Sequence, residues 1–294
     1  MLVIFRQARL DGDGLRGGPY NDSKMSRSKR SSVQRYHDRV AGCYDDSYDD
    51  AYWQWHNALT WDYLKPYLPR DLSATLLDLG CGTGIWACKL LKSGYRVACV
   101  DISAKMLDQA RGKIEQMNAI GRATFLQADL CDLSALPERG ASFAIALGDP
   151  IGCTQSPATA MKQIRRVLSD EGVLVATFDN RLAAIDHYLT LADPGSLTRF
   201  LRDGKTNWLT KDAAERFPIT TFDPGDVATL VKNAGLEVMD MVGKTVLPMR
   251  HHRQLLATSE DRRTWARIEK SLCRNPFAIG RASHLQVAAR VARR

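Results

Sequence analysis

A chain of 294 residues, 45% hydrophobic and 25% charged, carries enough apolar surface for a core, which excludes disorder along its whole length. No uncharged apolar run reaches the roughly 18 residues of a membrane-spanning helix, and no membrane partner is expected. The net charge of +8 sits at the ends: residues 1–40 hold 9 basic and 4 acidic residues and residues 250–294 hold 11 and 3, leaving 21 against 26 between them. Basic ends suit a solvated surface, with docking on nucleic acid as the alternative.

Residues 1–40 read as a basic, disordered tail rich in Gly, Ser and charge, without periodicity. The first residues, MLVIFR, are too short an apolar stretch for a secretory signal, and Asp11, Asp13 and Asp22 count against a transit peptide. Met25 precedes a compact basic segment and is a second candidate start. The seven cysteines (Cys43, Cys81, Cys88, Cys99, Cys131, Cys153 and Cys273) are odd in number and form no C-x-x-C pair. Buried free thiols in a reducing, cytoplasmic setting fit them better than disulfides or zinc. An aromatic helix is expected over Asp50 to Tyr67, closed by Pro66 and Pro69.

From residue 75 strands and helices alternate. TLLDL ends in the glycines of GCGTG, and a helix follows to Gly94. YRVACVD is a second strand, and Ser103 caps a second helix. ATFLQAD, SFAIALGD and GVLVATFDN are further strands, with a helix over 156–168 before the last and Gly172 opening it. The pattern predicts a parallel sheet covered on both faces. Over residues 181–222 the rhythm breaks, with no clear strand, so an insertion is expected there. A helix at Pro224–Ala234, a strand LEVMDMVG, a basic helix near 259–273 and a final strand HLQVAARV complete an α/β domain over 41–294. No internal repeat is visible, and nothing marks the oligomeric state.

The sharpest motif is LLDLGCGTG, residues 76–84. Glycines admit positive φ and let a ligand approach the backbone, and such a loop lies at the C-terminal edge of a doubly wound sheet. A dinucleotide fingerprint starting at Gly80 needs its third glycine at position 85, where Ile85 stands, so an NAD-dependent dehydrogenase fails on spacing. No G-K-[ST] follows, which removes the Walker A loop. Asp101 ends the second strand, 23 residues after Asp78, where a carboxylate can accept from ribose hydroxyls. Asp129 ends the third strand.

Together GCGTG, Asp101, Asp129 and Gly172 resemble the class I S-adenosylmethionine-dependent methyltransferases of small-molecule type, over about residues 44–247. The resemblance implies a doubly wound, mostly parallel, seven-stranded Rossmann-like sheet with an antiparallel last strand. The insertion would be a helical acceptor lid. It implies S-adenosyl-L-methionine as cofactor and transfer of its methyl, by in-line displacement, to an O or N acceptor on a small molecule. Gly80, Cys81, Gly82 and Gly84 would line the methionine moiety, and Asp78 would order that loop. Asp101 would hold the ribose, Ile102 and Met106 would flank the adenine, and Asp129 and Leu130 would address its edge. Leu147 and Gly148 would lie under the sulfonium, and Tyr48, with Tyr44, Tyr52 and Trp53, belongs to a segment that would cover the cofactor.

Asp149 stands where nucleic-acid amino methyltransferases carry [ND]-P-P-[YF], but here Asp149-Pro150-Ile151-Gly152 lacks the second proline and the aromatic. His187 is the candidate general base for a hydroxyl acceptor and Asp149 the candidate orienting carboxylate. Asp179, Asn180 and Arg181 follow the fifth strand, and Trp208 and Phe217 would wall an apolar acceptor pocket. His251 and His252, beside Arg250 and Arg253, read as a solvated basic turn, and no metal is expected. An RNA or protein methyltransferase docking through its basic ends, or a non-catalytic binder of the cofactor, are the alternatives.

Overall fold

The computed structural model describes residues 31–207 and 216–292. Its elements, in chain order, are α1 (Ser32–Val40), α2 (Ala51–Leu64), β1 (Thr75–Leu79), α3 (Ile85–Lys92), β2 (Arg96–Asp101), α4 (Ala104–Gln116), β3 (Ala123–Gln127) and β4 (Ala141–Ala146). There follow α5 (Pro157–Val167), β5 (Leu168–Asp179), α6 (Ile185–Thr190), α7 (Pro194–Asp203), β6 (Lys205–Asn207), β7 (Pro218–Thr220), α8 (Pro224–Asn233), β8 (Leu236–Lys244), α9 (Ser259–Leu272) and β9 (His284–Val291). No helix among the described residues is long and apolar enough to cross a membrane.

The seven-stranded sheet has the order β3-β2-β1-β4-β5-β9-β8. The first five strands are parallel, and β9 runs antiparallel between β5 and β8. Alternation sends Leu77 and Leu79 of β1 to one face and Leu76 and Asp78 to the other. The first face packs under Met161 and Ile164 of α5 and Val227 and Val231 of α8. The second packs under Trp86 and Leu90 of α3 and Leu107 and Ile114 of α4. Each fully buried side chain of this size contributes about 1.5–3 kcal/mol. The chain leaves β1 toward β2 and returns on its other side through β4, so the crevice of a doubly wound sheet opens above the end of β1.

Three expectations are revised. The tail over 1–40 ends earlier than its composition suggests, because Ser32–Val40 is a helix. Ser31 caps it by accepting from Gln34 N–H, and Asp38 accepts from Ser103 Oγ at the start of α4. Tyr36 is its only buried residue, so little apolar periodicity was there to read. Residues 1–30 lie outside the described residues.

The insertion contains a strand pair after all: β6 and β7 join antiparallel, Thr206 opposite Ile219, in three-residue strands too short to show a period of two. The residues joining them, 208–215 with Trp208, lie outside the described residues. Lastly, β5 begins at Leu168 and not at Gly172. Its pairing with β4 jumps from Leu168 to Val173, a bulge that takes up Gly172.

Gly84 caps α3 at φ +82°, and a Cβ there would stand 2.8 Å from the Ala110 Cβ and 3.1 Å from its Cα. Gly112 lies within α4 with nothing inside 4 Å of its own Cβ position. Gly84→Ala is therefore expected to lower unfolding free energy by about 2 kcal/mol, and Gly112→Ala to raise it by about 0.5–1 kcal/mol. Denaturant titration checks both; equal effects would contradict the packing described.

Candidate active site

The turn after β1 is built by the end of β2. The Val100 carbonyl accepts from Gly80 N–H at 2.7 Å and Cys81 N–H at 3.0 Å. The Asp101 carboxylate accepts from Gly82 N–H at 2.8 Å and Ser103 N–H at 2.9 Å. These bonds hold Gly80, Gly82 and Gly84 at φ +72°, +53° and +82°. The three glycines serve different ends. A Cβ on Gly80 would meet Pro150 at 2.5 Å and one on Gly84 would meet Ala110, whereas Gly82 has nothing within 4 Å. Gly82 thus leaves bare backbone facing open space.

That space is a cavity of about 280 Å³. One end is lined by Gly80, Cys81, Gly82, Asp101, Ile102, Asp129, Leu130, Leu147 and Gly148. The other end is aromatic and polar: Tyr44, Tyr48, Trp53, His56, Asn57, Thr60 and Lys244. Ser31, Ser32, Val33 and His37 of the α1 region also line it. The covering segment is tied down where Asp45 accepts from Thr83 Oγ1 at 2.6 Å and pairs with Lys113 of α4. The Tyr44 and Tyr48 rings lie 4.9 Å apart and Tyr48 meets Trp53 edge-on at 4.8 Å. Burial raises both tyrosines' pKa values, so neither phenol is an available base at neutral pH.

Asp78 lies beneath the glycine loop, 1% exposed, with neither carboxylate oxygen in a hydrogen bond. Burial first, and then the Asp101 charge, push its carboxyl up to about 7; the Ala87 N–H, outside hydrogen-bond geometry, opposes this only weakly.

Behind the aromatic end a charge cluster gathers at the C-terminal edge of the sheet. Asp149 follows β4 with φ +64°, in a turn held by Thr177 Oγ1, which accepts from Gly148 N–H at 2.9 Å and Asp149 N–H at 3.1 Å. His284 Nδ1 is 2.9 Å from Asp149 Oδ2 and 3.7 Å from Asp179 Oδ1. Burial alone would raise Asp149, but His284 and Lys244 hold it below the usual carboxylate range. Burial and the Asp149 charge push Asp179 up to about 6. Lys244 ends β8, 2% exposed, and burial pulls its ammonium down to about 8 against the upward pull of Asp149 and Asp179. The Asp149, Asp179 and His284 donor atoms lie within 4.8 Å of one another, the spacing a cation site uses. The Lys244 ammonium, bonded to Thr60 Oγ1, acts on both carboxylates through its charge.

Most expected cofactor residues meet at the cavity, Tyr48 among them, but three do not, the first being Asp78, which lies buried beneath the loop. Gly84 packs on Ala110 instead, and Met106 is fully buried on the core-facing side of α4. Asp149 sits behind the cavity wall, bonded to His284. His187 is also outside the lining: α6 packs on α7 through the stacked rings of Tyr188 and Phe200, 4.5 Å apart, and His187 rests on Tyr188 at 5.5 Å. Phe217 belongs to that same small core with Tyr36 and Ile219, behind the cavity wall, where its ring packs on His37 at 5.8 Å. Asn180 donates to the carbonyls of Gly280 and Ala282, and Arg181 pairs with Asp226, so both are structural. His251 and His252 are exposed, while the Arg250 guanidinium lies 5.7 Å over Trp53.

His56, Lys244 and His284 went unread in the sequence. Two of them were within reach, because a strand parallel to β5 ends, and an antiparallel one begins, at the C-terminal edge where ligands bind.

Residues 76–172 match the family model of a methyltransferase domain. An uncharacterised chloroplastic methyltransferase of Arabidopsis thaliana is 34% identical over 116 residues, 38% of this chain and 33% of that protein. The first curated relatives are thus matched over about a third of their length. A ubiquinone biosynthesis O-methyltransferase of Xanthomonas axonopodis is 23% identical over 69% of this chain and 79% of that protein. Among solved structures, an S-adenosylmethionine-dependent methyltransferase from Listeria monocytogenes superposes with a TM-score of 0.58 at 16% identity, over 80% of this chain and 98% of that one, a likeness of fold.

The Asp78 carboxyl, raised in the folded state above its unfolded value of 3.8, binds a proton that the unfolded chain has released between about pH 4 and 7. Its contribution to stability is present below pH 4 and lost as pH rises through 7. Asp78→Asn is expected to remove that loss, on the order of a few kcal/mol. Thermal unfolding from pH 4 to 8 checks it: parallel profiles for wild type and variant would contradict the assignment.

Proposed function

We propose that this chain, which carries a class I S-adenosylmethionine-dependent methyltransferase domain, transfers a methyl group to an oxygen or nitrogen of a small organic molecule. One observation carries the reading: a single cavity runs from the glycine loop to a chamber of aromatic and polar side chains. When bound, the cofactor supplies an electrophilic methyl on a sulfonium. Gly82 leaves the backbone bare for its methionine moiety, and Asp101 has carboxylate lone pairs beyond the two backbone bonds it accepts, which suit ribose hydroxyls. Asp78, buried and unpartnered, suits a cationic amino group through the loop, a partner that would return its proton to solution.

The chain's remaining task is to align the acceptor and to keep water out. Residues of α1 and Tyr44, beside the anchored Asp45, wall one side of the cavity, which stays partly open. A recessed pocket walled by aromatic side chains favours a small acceptor over RNA or protein. The O-methyltransferase of Xanthomonas, aligned over two thirds of this chain, supports oxygen as the acceptor atom. We assign Asp149 a positioning role, holding His284 behind the chamber, and give His187 no part in the transfer.

Titration with S-adenosylmethionine is expected to raise the unfolding temperature, by about 2.7 kcal/mol of stabilisation at 100 times the dissociation constant, with NAD inert. Gly82→Asn, whose side chain tolerates φ +53° and projects into the cavity, should weaken that binding at least ~10-fold with little change in the free protein. Equal binding by variant and wild type, or a response to NAD alone, would overturn the reading.

A further inference from the structure

Two buried groups that line the cavity have no part in the cofactor reading, His56 of α2 and Lys244 of β8. We propose that they form an acceptor site for a phenol-type hydroxyl, with His56 Nε2 taking the hydroxyl proton and the Lys244 ammonium holding the resulting oxyanion. The inference rests on the methyl-transfer reading and names its substrate class.

The His56 ring has one hydrogen-bond contact, Nδ1 to Asn57 Oδ1 at 3.3 Å; in the tautomer that donates there, Nε2 carries the lone pair. Nε2 is buried and has no hydrogen-bond partner, an arrangement that costs free energy until a donor arrives. Burial, and then the charges of Lys244 and His284, hold the ring well below the usual histidine range, so it is neutral in the free protein, and the negative charge formed on the acceptor oxygen offsets the cost of protonating it.

The ammonium is fixed with equal care. Thr60 Oγ1 donates to the His56 carbonyl at 3.0 Å and accepts from Lys244 Nζ at 2.9 Å, which couples the two groups through one hydroxyl. The residue after the lysine, Thr245, is held at φ +60°, a costly conformation for a β-branched side chain. Buried Glu269 of α9 enforces it by accepting from Val246 N–H at 2.7 Å and Leu247 N–H at 3.0 Å. Local strain kept by a buried clamp beside a ligand cavity is how functional groups are held in place. The chamber walls are the rings of Tyr44, Tyr48 and Trp53, and Trp53 meets His56 edge-on at 5.0 Å. Flat aromatic walls select a flat aromatic acceptor.

The step balances. The acceptor O–H proton passes to His56 Nε2, and the oxygen forms a bond to the methyl carbon as the sulfur–methyl bond breaks. That electron pair stays on sulfur, which becomes a neutral thioether, and the imidazolium then returns its proton to solvent.

The test uses the full chain saturated with the demethylated cofactor, titrated with 4-nitrocatechol at a pH where the free probe is mostly protonated. Its absorbance reports whether the bound phenol is ionised. Wild type should enrich the ionised form at least ~10-fold over free probe. Lys244→Met and His56→Gln should each lose most of that enrichment while keeping the thermal shift with demethylated cofactor. In turnover of the same probe, His56→Gln should lower kcat by ~10²-fold or more with a smaller change in KM. If Lys244→Met does not fold, His56→Gln decides. A neutral bound phenol, unchanged spectra in a folded variant, or no probe binding by cofactor-loaded protein would overturn the proposal and leave the methyltransferase reading standing. Failure to bind the demethylated cofactor at all would overturn both.

Discussion

The site depends on how the end of one strand builds the turn of its neighbour. Val100 and Asp101, the last residues of β2, accept four backbone N–H groups from Gly80, Cys81, Gly82 and Ser103. Without those acceptors the glycine turn would have buried donors with no partner, which folded proteins avoid. The turn in turn places the first residues of α3, sets Gly84 against α4, and leaves Gly82 bare toward the cavity. Asp101 therefore has two duties. It is a structural acceptor in the free protein, and its remaining lone pairs face the cofactor end.

A second constraint acts at the other end of the cavity. Parallel strands all finish on one edge, and β9, inserted antiparallel, starts there. Asp149, Asp179, Lys244 and His284 come from four different strand ends and meet at that edge. Buried charges are tolerable only when paired. Here Asp149 and Asp179 lie beside the His284 ring and within the field of the Lys244 ammonium, at the cost of shifted proton affinities for both carboxylates and the lysine. Those shifts concentrate beside the aromatic chamber, as expected of a site built to handle a proton.

Much of this was legible in the sequence. Strand identity followed from short β-branched runs ending in GCGTG, Asp101 and Asp129, and HLQVAARV forms the final strand over its full length. The cofactor end was readable because its chemistry is local: glycines that need positive φ and acids at strand ends. The acceptor end was not. His56 sits in a helix whose aromatic run reads as core, and nothing local distinguishes it from Trp55 or Leu59, which are core. His187 had the right spacing after β5 but the wrong surroundings, because packing of α6 on α7 turns on Tyr188 and Phe200, a contact that no local pattern reveals. Helix α1 escaped notice because only Tyr36 is buried in it, although it covers the cavity.

The central claim is methyl transfer to a small molecule in the aromatic-walled cavity. Its most direct test is to incubate the protein with S-adenosylmethionine carrying a radiolabelled methyl and an extract of its source cells, then separate small molecules, RNA and protein. The account predicts label in the small-molecule fraction, dependent on added protein. Label confined to RNA or protein, or no enzyme-dependent label in any fraction, would contradict it.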